Sequence, residues 1–242
     1  DLFGDDAALM ANGFNAWAGI FFLAGRWHAV GGKQRERAHL LAAPVIADCL
    51  QGRVSRASYL AFLGQAYHHV RHTTPLLMTL GGRLPERLAW LRRAVADYTV
   101  EGIGHEEWIV NDIAAAGGDA AAVRNSQPEL PAEVMVAYAY DLLNRGNPAA
   151  FFGMVFVLEG TSVALALQAA DRIQEALALP NAAFSYLRSH GTLDQEHTRH
   201  LADLLARMVP DDQAAVLRSA RVFYKLYGDV FRALPREEPS WT

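Results

Sequence analysis

Apolar positions recur at i, i+3, i+4 and i+7 through long Ala- and Leu-rich segments, and short clusters of Gly, Pro and Asn interrupt them. This period predicts helices over Gln34–Gln51, Arg56–Thr73, Pro85–Ala116, Pro131–Asn144, Ala149–Leu177, Ala182–Met208 and Asp211–Leu234. Gly81-Gly82, Gly117-Gly118, Gly146-Asn147-Pro148 and Leu179-Pro180-Asn181 supply the stops, and Ser55 and Asp211 are expected to cap the helices that follow them. No segment alternates with a period of two, so no strand is expected. The connections are short and no repeat is visible. Together these features predict one all-α domain of about seven helices over residues 34–242, with an N-terminal extension over residues 1–33.

Composition narrows the function classes. With 242 residues, 52% of them hydrophobic and 20% charged, the chain can bury a large core. Lys+Arg 22 against Asp+Glu 26 leaves a formal charge of −4, which offers no basic field for nucleic acid. The single cysteine, Cys49, excludes a disulfide framework and a Cys-rich metal knuckle and suits a cytoplasmic protein. The apolar run Phe14 to Gly25 is too short to span a bilayer. Ala149 to Ala170 is long enough, but Glu159 sits near its middle beside Gly160, Thr161 and Ser162. It therefore reads as the buried central helix of a bundle, with no membrane partner. The Phe14 to Gly25 run and the aromatic C-terminal helix (Val222, Phe223, Tyr224, Tyr227, Phe231) fit either a homodimer interface or core packing.

The candidate chemistry lies in histidine and carboxylate spacing. His190, Asp194 and His197 fall at i, i+4 and i+7, which puts two imidazoles and a carboxylate on one helix face. That mixture suits iron or manganese, although three polar residues on a helix are also an ordinary solvated face. The Asp-x-x-His step has the spacing of the Glu-x-x-His element in carboxylate-bridged di-iron bundles. Glu159, the one ionisable residue in its apolar segment, needs a proton, an ion pair, a metal or hydrogen bonds from Thr161, Ser162 or a histidine. Glu101 and His105 form an i, i+4 pair on the expected long helix, with Asp97 and Tyr98 near that face and Glu106 and Glu107 turned away. His68, His69 and His72 add a cluster that either supports such a site or bonds between helices, and Pro75 is expected to end or kink their helix. Taken together, three carboxylates and three histidines from three helices are enough for two metal ions, with room for O2 or a substrate.

The segments YHHVRHTTPLL, EGIGHEEWIVNDI, FFGMVFVLEGTSVALA and SYLRSHGTLDQEH resemble the haem-oxygenase-like di-metal oxidase and oxygenase superfamily, and within it the iron-containing redox enzyme group. The fold is shared with haem oxygenase, the thiaminase II type TenA proteins and the quinone synthase PqqC, and the likeness runs from about Leu40 to Leu234. The resemblance implies a haem-oxygenase-like bundle of seven helices with two non-haem iron ions, or manganese, held by Glu101, His105, Glu159, His190, Asp194 and His197. Glu159 and His190 are the expected catalytic residues, and Tyr98, His69 and His72 are expected to support the site or touch substrate. In some relatives the first carboxylate lies further upstream, where this chain has Tyr98 or Ala94 and Val95. Glu101 is thus the ligand least fixed by the motif, and His69 or His72 is available in its place. Relatives fragment amino or fatty acids, oxygenate nitrogen, or make aromatic compounds self-sacrificially. The implied function is O2 activation to oxidise a small organic substrate of amino-acid or fatty-acid type. The competing readings are a cofactor-free TenA-like or PqqC-like enzyme using Cys49 or the YHH cluster, haem ligation by His39, and a metal-free small-molecule binding protein.

Overall fold

Several helices begin where a side chain or a proline meets the demands of the first turn. Ser55 accepts a hydrogen bond from the Ser58 amide at 3.1 Å, Asp119 accepts one from Ala122 at 2.9 Å, and Pro44 and Pro210 stand at helix starts where the missing N–H is no loss. The structure, a computed structural model, describes residues 33–236, less the side chains of residues 33–34 and 192–196. Its helices are α1 (Lys33–Leu41), α2 (Pro44–Leu50), α3 (Arg56–Val70), α4 (Thr73–Arg83), α5 (Arg92–Gly102), α6 (His105–Ala115), α7 (Ala120–Arg124), α8 (Leu130–Arg145), α9 (Phe152–Leu177), α10 (Ser185–Arg207) and α11 (Pro210–Ala233). Short 3-10 turns cover Glu86–Leu91, Pro148–Phe151 and Asn181–Ala183, and no strand occurs among the described residues. The N-terminal extension, including Phe14 to Gly25, lies outside the described residues.

The all-α expectation holds, and its departures have local causes. The expected helix over 34–51 divides because Pro44 forces Ala43 into an extended conformation, ψ 126°. The helix from Arg56 stops at Val70, and Pro75 lies in the first turn of α4, a helix the periodicity did not reveal. Gly81 and Gly82 are inside the last turn of α4 rather than beyond it. The expected helix over 85–116 becomes a 3-10 turn, α5 and α6, broken at Ile103 (ψ 123°) and at Gly104, whose φ of 87° suits glycine. Asp211 is not a cap: Val209 takes that position, and Asp211 lies in the first turn.

Its neighbour Asp212 has the structural role. Fully buried, it receives Arg87 through both guanidinium Nη atoms and Asn147 Nδ2 at 2.6 Å, and the Arg87 bond holds its carboxyl below the usual range. That contact ties the start of α11 to the Glu86–Leu91 turn.

Helix α9 is central, packing along both α10 and α11. It is long and apolar enough to cross a bilayer by composition, yet 56% of its most apolar window is buried inside the protein. Phe152, Val157, Leu201 and Phe223 belong to one apolar cluster; Tyr59, Ile109, Ala170 and Phe184 belong to another. Phe223, Tyr224 and Tyr227 are buried within this chain, so core packing accounts for them.

Candidate metal centre

Residues from both apolar clusters line one cavity of about 220 Å³, and Tyr98, Glu101, His105, Glu159, His190, His197 and His69 also line it. Each arrives from a different local setting. Glu101 ends α5 and His105 begins α6, so the pair expected on one long helix instead straddles the Ile103–Gly104 break. Glu159 comes from the middle of α9, and His190 and His197 come from the continuous helix α10. A Cβ built at Gly191 would lie 2.7 Å from Leu167 Cγ and 3.3 Å from Leu167 N, so glycine there lets α10 approach α9 beside His190.

The imidazoles are oriented by specific partners. His190 Nδ1 lies 3.0 Å from the Tyr186 carbonyl, which can only accept, so Nδ1 carries the proton and the neutral ring keeps its lone pair at Nε2. The His190 ring stands nearly perpendicular to that of His105, with centroids 4.8 Å apart, and His105 stacks on Trp108 at 4.1 Å. His197 bridges two carboxylates: Nε2 is 2.9 Å from Glu101 Oε2, and Nδ1 is 3.5 Å from Glu159 Oε1. Tyr98 packs its ring 5.3 Å from that of His197 and donates its hydroxyl to the His197 carbonyl at 3.3 Å. The Glu159 side chain is 14% exposed and that of Glu101 53%.

Among the described residues no three His, Cys, Asp or Glu side chains converge on one metal-sized point. The His197 ring separates Glu101 from Glu159, and the Asp194 side chain lies outside the described residues, although α10 runs through position 194. The donor chemistry nonetheless fits iron or manganese. Carboxylate oxygens and imidazole nitrogens share one cavity, and the His190 tautomer is fixed by a backbone acceptor, as in metal sites whose outer partners orient the ligand.

The three histidines of the upstream cluster go to three different places. His68 bonds Ser126 Oγ at 2.8 Å, and His72 bonds the Tyr140 hydroxyl at 3.1 Å, outside the cavity lining. His69, 2% exposed, lines the cavity; its Nδ1 lies 3.0 Å from the Gln65 carbonyl, and burial holds its pKa down to about 4. Between about pH 6.5 and 4 the unfolded chain therefore takes up a proton that folded His69 refuses, so stability falls as pH drops. This term is expected to remove about 2 kcal/mol between pH 8 and pH 5. Urea unfolding across that range should show a steeper pH dependence in the metal-free wild type than in His69→Gln; equal slopes would refute the assignment.

Some expectations are redirected. Cys49, distant in sequence from the carboxylates, lines the same cavity, yet burial pushes its thiol up to about 11, which leaves little thiolate for nucleophilic attack at neutral pH. His39 is exposed and is not among the cavity's described lining residues. Asp97 pairs with Arg93 at 3.0 Å, and Glu107 pairs with Arg124. Three residues that frame the site were not anticipated: Trp108, Tyr186 and the buried Asp112, which accepts from the Ser185 amide at 2.9 Å, the Tyr186 amide at 2.8 Å and the Ser185 hydroxyl. Trp108 lies three positions from His105, a helical-face spacing, and Asp112 is an isolated acid in an apolar run.

Comparison with known proteins bears on the family and the fold. Residues 60–228 match the family described as iron-containing redox enzyme. A domain of unknown function with a heme oxygenase-like fold from Shewanella denitrificans OS217 superposes with a TM-score of 0.75 at 22% identity, over 83% of this chain and 87% of that one. A TenA homolog from Pseudomonas syringae pv. tomato str. DC3000 gives 0.71 at 11% identity, over 87% and 92%. A CADD-like protein of unknown function from Nostoc punctiforme PCC 73102 gives 0.64 at 14%, over 81% and 87%. These likenesses establish the haem-oxygenase-like fold. No curated protein matches the chain.

Proposed function

The chain belongs to the iron-containing redox enzyme family, and from that membership we propose that it is a non-haem di-iron oxidase or oxygenase that uses O2 to oxidise a small organic substrate. Glu101, His105, Glu159, His190, Asp194 and His197 would hold the iron, with manganese as the substitute. The observation that carries this reading is the meeting of Glu101, Glu159, His105, His190 and His197 in one cavity with apolar walls.

When bound, iron supplies electrons to O2 and an electrophilic centre. The protein's own residues prepare the site. His190 presents Nε2 because Tyr186 takes its other proton, and Trp108 stacks on His105 and restricts its rotation. Glu159 is held on the buried central helix, whereas Glu101 at the end of α5 is more exposed and better placed to change position. His197 sets the spacing of the two carboxylates, with Glu101 at Nε2 and Glu159 on the Nδ1 side of its ring. The leucines, phenylalanines and valines of the lining keep water from the reacting groups.

Metal analysis tests the reading. Anaerobically purified, iron-reconstituted protein is expected to hold about two irons per chain and to develop an absorption band when O2 is admitted. His190→Ala and Glu159→Ala are each expected to lose at least half of the iron and all of the band. Wild-type protein that takes up no iron would sink the mechanism.

A further inference from the structure

His69 is a buried polar group of the cavity that the proposed iron ligands do not use. It enters from α3, 2% exposed, and its Nδ1 lies 3.0 Å from the Gln65 carbonyl one turn back on the same helix. A carbonyl can only accept, so Nδ1 carries the ring proton and the distal nitrogen, Nε2, keeps its lone pair. Nothing among the described residues donates to that lone pair. Burial opposes protonation of the ring, so at neutral pH Nε2 is an acceptor and never a donor. A buried acceptor without a donor costs free energy, which a guest in the cavity recovers by supplying one.

The wall beside it is aromatic. The His69 ring meets that of Tyr227 edge-on at 5.9 Å, Tyr227 lies 4.8 Å from Phe231, and Phe231 stacks on Phe62 at 6.0 Å; all four line the cavity. No Lys or Arg occurs among the described lining residues, so a carboxylate or phosphate would find no basic side chain and would set its own lone pairs against that of Nε2. Other hydroxyls of the lining are engaged by backbone. Ser58 donates to the Pro235 carbonyl and Tyr59 to the Ala183 carbonyl, each at 2.6 Å, and Thr161 to the Val157 carbonyl at 2.7 Å. Ser162 Oγ has no partner among the described residues, but a hydroxyl takes either role and selects nothing. His69 Nε2 does select: it accepts one hydrogen from a guest whose body is apolar. A hydroxyl group asks for no more, whereas an amide would also bury a carbonyl in need of its own donor.

We propose that His69 Nε2 accepts the hydroxyl hydrogen of a neutral, largely apolar substrate, an alcohol or a phenol, and so decides which molecules the cavity takes. This rests on the reading of the cavity as the substrate site of the oxidase, and the test needs no turnover. A cavity of about 150 Å³ admits benzene, and this one measures about 220 Å³, so β-naphthol serves as the probe. β-Methylnaphthalene has the same shape without the donor. In iron-free protein the nitrogen NMR resonance of His69 Nε2, assigned by its loss in His69→Gln, is expected to move upfield when β-naphthol is added and far less with β-methylnaphthalene. The shift is expected to persist with zinc(II), a diamagnetic stand-in for iron, in place. His69→Leu is expected to weaken β-naphthol binding about fivefold and to change that of β-methylnaphthalene by less than about twofold. His69→Gln, whose amide oxygen can accept, should recover part of the difference. A resonance that does not move, or equal weakening of both probes in His69→Leu, would overturn the proposal; if His69→Leu does not fold, the resonance decides alone. Displacement of the resonance by zinc(II) itself would make His69 a metal ligand and overturn it as well. A naphthol response in a protein that takes up no metal would leave this proposal standing and remove the di-iron reading. Metal uptake with no naphthol response would do the reverse.

Discussion

Gly153→Ala is expected to lower the unfolding free energy by about 4 kcal/mol, because a single methyl group at this position has no room. Gly153 lies in the first turn of α9, where it faces α11. A Cβ there would overlap Ser219 Oγ and come within 2.7 Å of both the Ala220 amide nitrogen and the Val216 carbonyl oxygen. A side chain can rotate away from such a contact, but a backbone cannot, so relief requires α9 and α11 to move apart along the buried seam that includes Phe152 and Phe223. The Ser219 hydroxyl, which bonds the Ala150 carbonyl, would lose that partner in the process. Gly64→Ala is the control: this position is inside α3 with nothing within 4 Å of a built Cβ, and the change is expected to stabilise by roughly 0.5–1 kcal/mol. Urea unfolding of both variants checks the contrast, and a loss below about 1 kcal/mol in Gly153→Ala would mean that the two helices are not held at this spacing.

Asp112→Ala is expected to cost a similar amount, about 4 kcal/mol, and to reach the metal centre as well. This carboxylate is fully buried, and burial pushes its pKa up against the hydrogen bonds that favour its charge. It reaches from α6 to the start of α10 and receives two backbone amides and one hydroxyl there, in the manner of an N-cap supplied by a different helix. Alanine would leave those donors buried and unsatisfied. The cap also sets register: α6 runs from His105 to Asp112 while α10 runs from Ser185 to His190, so the Asp112–Ser185 contact and the His105–His190 contact lie on one antiparallel seam. Folded Asp112→Ala is therefore expected to bind iron more weakly than the wild type, whereas Asp112→Asn, which keeps one oxygen acceptor, should lose less on both counts. Metal titration beside denaturant unfolding distinguishes the two effects; iron affinity unchanged in a destabilised variant would confine Asp112 to a structural role.

Local chemistry made much of the fold readable in advance, and contacts between distant segments account for what was not. The buried character of α9 followed from its composition, and the helical spacing of His190 and His197 followed from period alone. Glu101 and His105 line one cavity, but not as the i, i+4 pair on a single helix that was expected. Periodicity runs smoothly through Ile103 and Gly104, whereas the backbone turns there because glycine permits φ 87°. The choice of His69 over His72 was beyond reach for another reason. Both share a face with the cluster, and what separates them is the Tyr140 hydroxyl, 68 residues away, that takes up His72. Gly153 and Gly191 read as ordinary residues in apolar segments, since the facing helix that forbids a side chain there is a tertiary fact. Asp112 could have been found by the reasoning applied to Glu159, because a lone acid in an apolar run demands donors in either case.

The run of α9 along the cavity gives the protein a built-in measuring stick. Ala166, Ala169 and Ile173 line the cavity from one helix at about one helical turn per step, and each turn advances about 5.4 Å. Bulk added at one rung would shorten the usable length by a calculable amount while leaving the histidines and carboxylates untouched. Which part of a guest lies opposite Glu159 would then shift with the rung that is filled, so the position of attack becomes adjustable by substitutions far from the reacting atoms.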